Sequence, residues 1–141
     1  MIDILTDDTF LWGTQKAIQL MLRHSMTVYQ YMLTYQGASV AHPGVSHEDE
    51  LVYLFDPIAP PYNHTAPLPT KDLEVSKFMT NAWVNFAKMG NPNTPGMMHQ
   101  QWKKCTDGEY PIPYLNISGP EPTMDASEEV GYRVKFWESL L

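Results

Sequence analysis

Apolar side chains recur at helical spacing between residues 9 and 23, at Phe10, Leu11, Ala17, Ile18, Met21 and Leu22. Asp7 and Asp8 lie near the front of this run and Arg23 and His24 behind it, so the spacing predicts a helix of about four turns with the acids as its caps. The pattern then changes. From Thr27 to Tyr35, Val28, Tyr29, Tyr31, Leu33 and Tyr35 crowd together without Gly or Pro, and apolar side chains occupy both faces, which predicts a strand inside a covered sheet. Gln36-Gly37-Ala38 ends it, and a loop through His42-Pro43-Gly44 follows. A proline-dense loop runs from Asp56 to about Pro69. Thr70 is placed to cap the next helix, whose apolar side is Leu73, Val75, Phe78, Met79, Ala82, Trp83, Phe86 and Ala87, and Gly90 with Asn91-Pro92 stops it. Trp102 is an apolar anchor, Tyr114 to Ile117 reads as a short strand, and a last helix runs from about Ser127 to Leu141 with Val130, Val134, Trp137 and Leu141 on one face. No repeat or low-complexity segment interrupts this order.

Composition narrows the function classes. Sixteen acidic against nine basic side chains give a net charge of -7, with no basic cluster to follow a phosphate backbone, so nucleic acid is not an expected partner. No apolar run approaches the ~20 residues that span a bilayer. The start, Met1-Ile2-Asp3-Ile4-Leu5, lacks the layout of a signal peptide, and the natural N-terminus is expected further upstream. Cys105 has no second cysteine to pair with and reads as incidental. Asn63-His64-Thr65 and Asn116-Ile117-Ser118 are candidate N-glycosylation sequons, compatible with a secreted glycoprotein.

The chemistry concentrates at Gly44-Val45-Ser46-His47-Glu48-Asp49-Glu50-Leu51. Ser46 can cap a helix while Asp49, three residues on, completes a reciprocal capping arrangement, which puts His47 at a helix start. A helix N-terminus lowers an imidazole's pKa and the three neighbouring acids raise it. The strand before it also matters, because sites in open α/β sheets lie beyond the carboxyl ends of strands. His42, His47 and the acidic cluster lack metal-ligand spacing, so no metal and no cofactor are expected. A lone histidine at such a place is more often structural than catalytic, and Glu50 reads equally as first-turn dipole complementarity.

The residues around His47 match Gly-x-x-His-x-x-Glu-Leu-x-Tyr-x-Phe, and Trp83-Val84-Asn85-Phe86-Ala87-Lys88-Met89-Gly90-Asn91-Pro92-Asn93 matches Trp-x-Asn-Phe-Ala-x-x-Gly-x-Pro-Asn. Thr6-Asp7-Asp8-Thr9-Phe10 and Arg133-x-x-x-Trp137 add an opening and a closing landmark. In this order they resemble the type-B carboxylesterase family, most of all insect carboxylesterases and juvenile-hormone-esterase-like proteins. The resemblance implies an α/β fold: residues 1–141 as the C-terminal portion of a single α/β-hydrolase domain, with an incomplete sheet and flanking helices. It also implies carboxylic-ester hydrolysis by a serine esterase, with His47 as the general base and Glu50 as a buried residue supporting it.

Ester hydrolysis by this route needs a hydroxyl nucleophile, a base, an orienting carboxylate and an oxyanion hole. The chain has no Gly-x-Ser-x-Gly and no adjacent glycines, so it offers the base without the nucleophile. Chain order in this fold is nucleophile, acid, histidine, so both missing groups are expected upstream, Asp7 and Asp8 are expected to be structural, and the 141 residues alone are expected to be inactive. The resemblance further implies a small-molecule ester substrate, secretion of the full-length protein, and a homodimer seam through residues 71–89 and 128–141. The alternative is a non-catalytic esterase-like adhesion or binding domain.

Overall fold

The computed structural model describes residues 2–38, 43–55, 68–93, 101–108 and 110–140. The chain divides into two compact units, one made of Met1–Gln30, Lys103–Tyr114 and Met124–Leu141, the other of Tyr31–Trp102 and Leu115–Thr123. In chain order the elements are α1 (Ile2–Thr6), a π-helical turn (Asp7–Leu11), α2 (Trp12–Arg23), β1 (Tyr31–Leu33), α3 (Leu51–Leu54), α4 (Thr70–Met89), β2 (Tyr114–Ile117), β3 (Thr123–Asp125) and α5 (Glu128–Glu138). The strands form one sheet in the order β1-β2-β3, with β1 parallel to β2 and Met32 opposite Asn116. Helices flanking a small sheet with a parallel pair are the expected α/β arrangement.

In the first unit the helical turns run from residue 2 to residue 23, longer than the apolar spacing alone predicts. Asp7 is therefore not a cap. It lies in the π-helical turn, is 5% exposed, and receives two bonds from Arg133 Nε at 2.9 and 3.0 Å, with a further bond from Arg133 Nη2. A buried carboxylate is tolerated there because a forked guanidinium meets it. Ile18, Cys105 and Ile112 pack with Leu22 and Val28 into a small apolar core. Cys105 is thus a core residue, and its amide donates to Val28 O at 2.9 Å. Ser127 caps α5 by accepting the Val130 amide at 3.4 Å. Gly131 of α5 packs closely, since a Cβ there would come within 3.3 Å of the Tyr110 ring and of Pro111.

In the second unit α4 follows its apolar pattern closely. Val75, Phe78, Met79 and Ala82 are buried at i, i+3, i+4 and i+7 while Leu73 and Phe86 face outward. Thr70 is the first helical residue and the cap position falls to Pro69, which makes no side-chain cap. Gly90 closes the helix in the left-handed region at φ 66°. The tail of this motif has a physical task as well: Asn93 Oδ1 accepts the Trp102 amide at 2.8 Å and Asn93 Nδ2 donates to Trp102 O at 2.9 Å. That clamp seats Trp102 against Trp83, with ring centroids 5.9 Å apart, while Tyr31 of β1 meets Trp83 edge-on at 4.9 Å. β1 is shorter than Thr27 to Tyr35 because the ladder stops where the Thr34 and Tyr35 amides both turn to Ile117 O, at 3.0 and 2.9 Å.

Candidate active site

His47 is carried by the chain that leaves the carboxyl end of β1. Residues 47–50 form turns and α3 begins only at Leu51, with Glu50 in the N-cap position. The expectation that His47 opens a helix is therefore corrected by four residues. The reason is local, because Glu48 has φ 76°, a left-handed backbone that a helix cannot continue through. Half of the expected capping pair nonetheless forms, as Asp49 Oδ2 accepts the Ser46 amide at 2.7 Å. Asp49 is buried, so this bond stiffens the turn from inside.

The His47 side chain is 64% exposed, and its Nε2 lies 4.0 Å from Glu48 Oε1, too far for a hydrogen bond. An imidazole presented this way is accessible to a group supplied from outside the turn. Glu50 is partly buried at the start of α3. Of the two sequons, Asn63 lies outside the described residues, and Asn116 sits in the middle strand with its Oδ1 accepting the Thr34 hydroxyl at 2.5 Å. His42 also lies outside the described residues. Among the described residues no three His, Cys, Asp or Glu side chains converge to hold a metal ion, and no helix is long and apolar enough to cross a membrane.

Sequence reasoning passed over the groups that hold this turn. Gln36 Oε1 accepts the Gly44 amide at 3.0 Å, closing the neck of the loop. Behind it, Tyr53 of α3 is 1% exposed, and its main-chain oxygen accepts the Ser76 hydroxyl of α4 at 2.7 Å. Asp72, in the first turn of α4, is also 1% exposed and accepts the Tyr35 hydroxyl at 2.8 Å. Burial first, and Asp72 second, push both the Tyr35 and the Tyr53 hydroxyls up to about 12 from the usual 10.0. The Gly37 amide acts in the opposite sense on Tyr53, but the Tyr53 hydroxyl has no partner in good hydrogen-bond geometry among the described residues. These residues are 35, 37, 53 and 72, scattered over two helices and the segment that follows β1, and only the aromatic six residues after His47 hinted at them.

Strands in a parallel pair, helices around them, and a histidine turn beyond the carboxyl end of β1 define the class: an α/β-hydrolase fold. The profile of the carboxylesterase family matches residues 1–137, and the chain belongs to that family. It is 36% identical to bile salt-activated lipase of Rattus norvegicus over 142 aligned residues, covering 94% of this chain and 22% of that protein. It is 25% identical to acetylcholinesterase of Bungarus fasciatus over 118 residues, covering 81% of this chain and 19% of that protein. Among solved structures it superposes on juvenile hormone esterase from Manduca sexta with a TM-score of 0.73 at 21% identity, covering 99% of this chain and 28% of that one. A carboxylesterase of Geobacillus stearothermophilus gives a TM-score of 0.76 at 20% identity, covering 96% and 27%. The chain thus spans about a fifth of the rat lipase that it matches over most of its own length.

Proposed function

We propose that residues 1–141 are the C-terminal portion of a carboxylesterase domain and supply the general base of a serine esterase. The observation that carries this is the exposed His47 imidazole on a braced turn beyond the carboxyl end of β1, in a chain of the carboxylesterase family. In acylation the imidazole removes the proton of a serine hydroxyl contributed by polypeptide outside these residues, and then passes that proton to the departing alcohol. In deacylation it does the same with water, returning the proton to the serine. Glu50, partly buried next to the turn, supports the histidine rather than touching the ester.

The test is turnover of an aryl acetate by the intact protein carrying His47→Ala. A loss of about a thousandfold or more is expected. Near-normal turnover would remove the assignment and favour the non-catalytic binding-domain alternative.

Two further properties belong to the same reading. We propose that the intact protein acts outside the cell, in line with its sequons. We also propose self-association through residues 71–89 and 128–141, since Tyr132 and Phe136 of α5 and Leu140 just beyond it recur four residues apart with exposures of 68%, 58% and 60%. Sedimentation that gives only monomer at high concentration would remove the second.

A further inference from the structure

Most of the His47 side chain is in solvent. The backbone of residues 46–50 that carries it leads directly into α3. Four residues of helix cannot hold themselves in place. What holds α3 is the wall behind it, where Val52 and Tyr53 are buried against α4 and Ser76 ties the Tyr53 carbonyl. The wall is filled to capacity at one point. A Cβ on Gly37 would lie 2.3 Å from the Tyr53 hydroxyl and 2.7 Å from Asp72 Oδ2. The chain leaving β1, the N-terminus of α4 and the helix that follows His47 thus meet within one contact distance, with Tyr35 bonded to the far oxygen of the same carboxylate.

We infer that Asp72, wedged between Gly37 and Tyr53 and bonded to Tyr35, is a positioning residue that sets where α3 lies and so where the His47 imidazole points. This rests on the reading of His47 as the general base. None of the four touches the ester. They act by fixing the distance between Gly37, before the histidine loop, and Tyr53, after it. A small displacement suffices to matter, since misplacing a catalytic group by about 1 Å costs roughly a hundredfold in rate.

The experiment is steady-state hydrolysis of an aryl acetate by the intact protein, with kcat and KM separated and folding followed by thermal denaturation. Asp72→Ala is expected to lower kcat by between about tenfold and a hundredfold while KM stays within about twofold. Asp72→Asn, whose amide oxygen can still accept the Tyr35 hydroxyl, is expected to recover most of that loss, which general destabilisation would not produce. Gly37→Ala should lower kcat similarly, and adding Tyr53→Phe, which removes the atom the new methyl would strike first, should restore part of it. Should Asp72→Ala not fold, Tyr35→Phe removes the same hydrogen bond from the partly exposed side and carries the test. A folded Asp72→Ala or Tyr35→Phe protein with kcat within twofold of the parent overturns the positioning role. If His47→Ala loses activity in the same series, the base assignment survives that result. If His47→Ala retains activity, the base assignment fails and the positioning role falls with it.

Discussion

A carboxylate as enclosed as Asp7 persists only because Arg133 brings matching donors to it, and the two residues are 126 positions apart. Removing one partner leaves the other charge buried and unpaired, which is the costly case. Arg133→Ala is expected to destabilise the intact protein by about 2 to 4 kcal/mol in urea unfolding, below the top of the usual range because the arginine side chain is 28% exposed. Replacing both partners at once, with Asp7→Asn and Arg133→Met, should cost less than Arg133→Ala alone, which a double-mutant cycle would show. The tyrosines predict a different signature. The hydroxyls of Tyr35, Tyr53 and Tyr114 are raised to about 12, in each case by burial before any other cause, and for Tyr114 also by the Asp125 carboxylate that accepts its hydrogen bond at 3.0 Å. A folded pKa above the unfolded 10.0 means these groups favour the folded state fully below pH 10 and lose that contribution as the pH climbs through about 12. Thermal midpoints should therefore fall over that interval, and the Tyr35, Tyr53 and Tyr114 hydroxyls should ionise late in an absorbance titration, with Tyr31 and Tyr110 also raised by burial. Unfolding that is complete before pH 10 would contradict this.

Among the elements, α4 was legible in its extent and in the middle of its apolar face, because its apolar period, its glycine stop and the Asn-Pro that follows all speak about the same helix, while Leu73, Phe86 and Ala87 at its ends are exposed. Its end is testable in isolation. A Cβ on Gly90 would meet nothing within 4 Å, so Gly90→Ala costs only the left-handed backbone, about 1 kcal/mol in thermal or urea unfolding with unchanged activity. Among the short elements β2 was read at its bounds, whereas β3 was missed and the helix at α3 was expected four residues too early. α3 has four residues and β3 three, too few to show a period, and both exist because tertiary neighbours complete them. Likewise β1 could be located but not bounded. The extended chain around it changes partner, from the Cys105 amide at Val28 O to the β2 ladder at Tyr31, and no local pattern records such a switch. The candidate site divides the same way. His47 was visible through the motif around it, whereas the Asp72 wedge joins residues 35, 37, 53 and 72 through contacts that spacing cannot encode. The capping pair of Ser46 and Asp49 shows the boundary between the two: the bond was readable, and the helix start it implied was displaced by the backbone of Glu48.

At the scale of the whole molecule, the sheet makes a demand that the described residues do not meet. In the order β1-β2-β3 the strand β1 lies at an edge, yet it carries Tyr31, Met32 and Leu33, all partly buried, with no lysine, proline or bulge along it to discourage pairing. That is the character of an interior strand. The helices repeat the demand, for Ile4, Leu5 and Leu20 in the first unit are 60%, 63% and 55% exposed, while Phe55 and Met89 in the second are each 63% exposed. Such surface is consistent with the proposal that more polypeptide of the same esterase domain lies against it, as the 22% coverage of the rat lipase also suggests. Residues 1–141 produced alone are therefore expected to be inactive on an aryl acetate, to bind an apolar dye strongly, and to melt over a broad interval or aggregate. Supplying the rest of the proposed esterase domain in trans should sharpen the transition and reduce dye binding, because it would cover the β1 edge and the apolar helix faces. A sharp, reversible transition with little dye binding from the 141 residues by themselves would mean that these faces need no cover, and would count against the domain assignment while leaving the family membership intact.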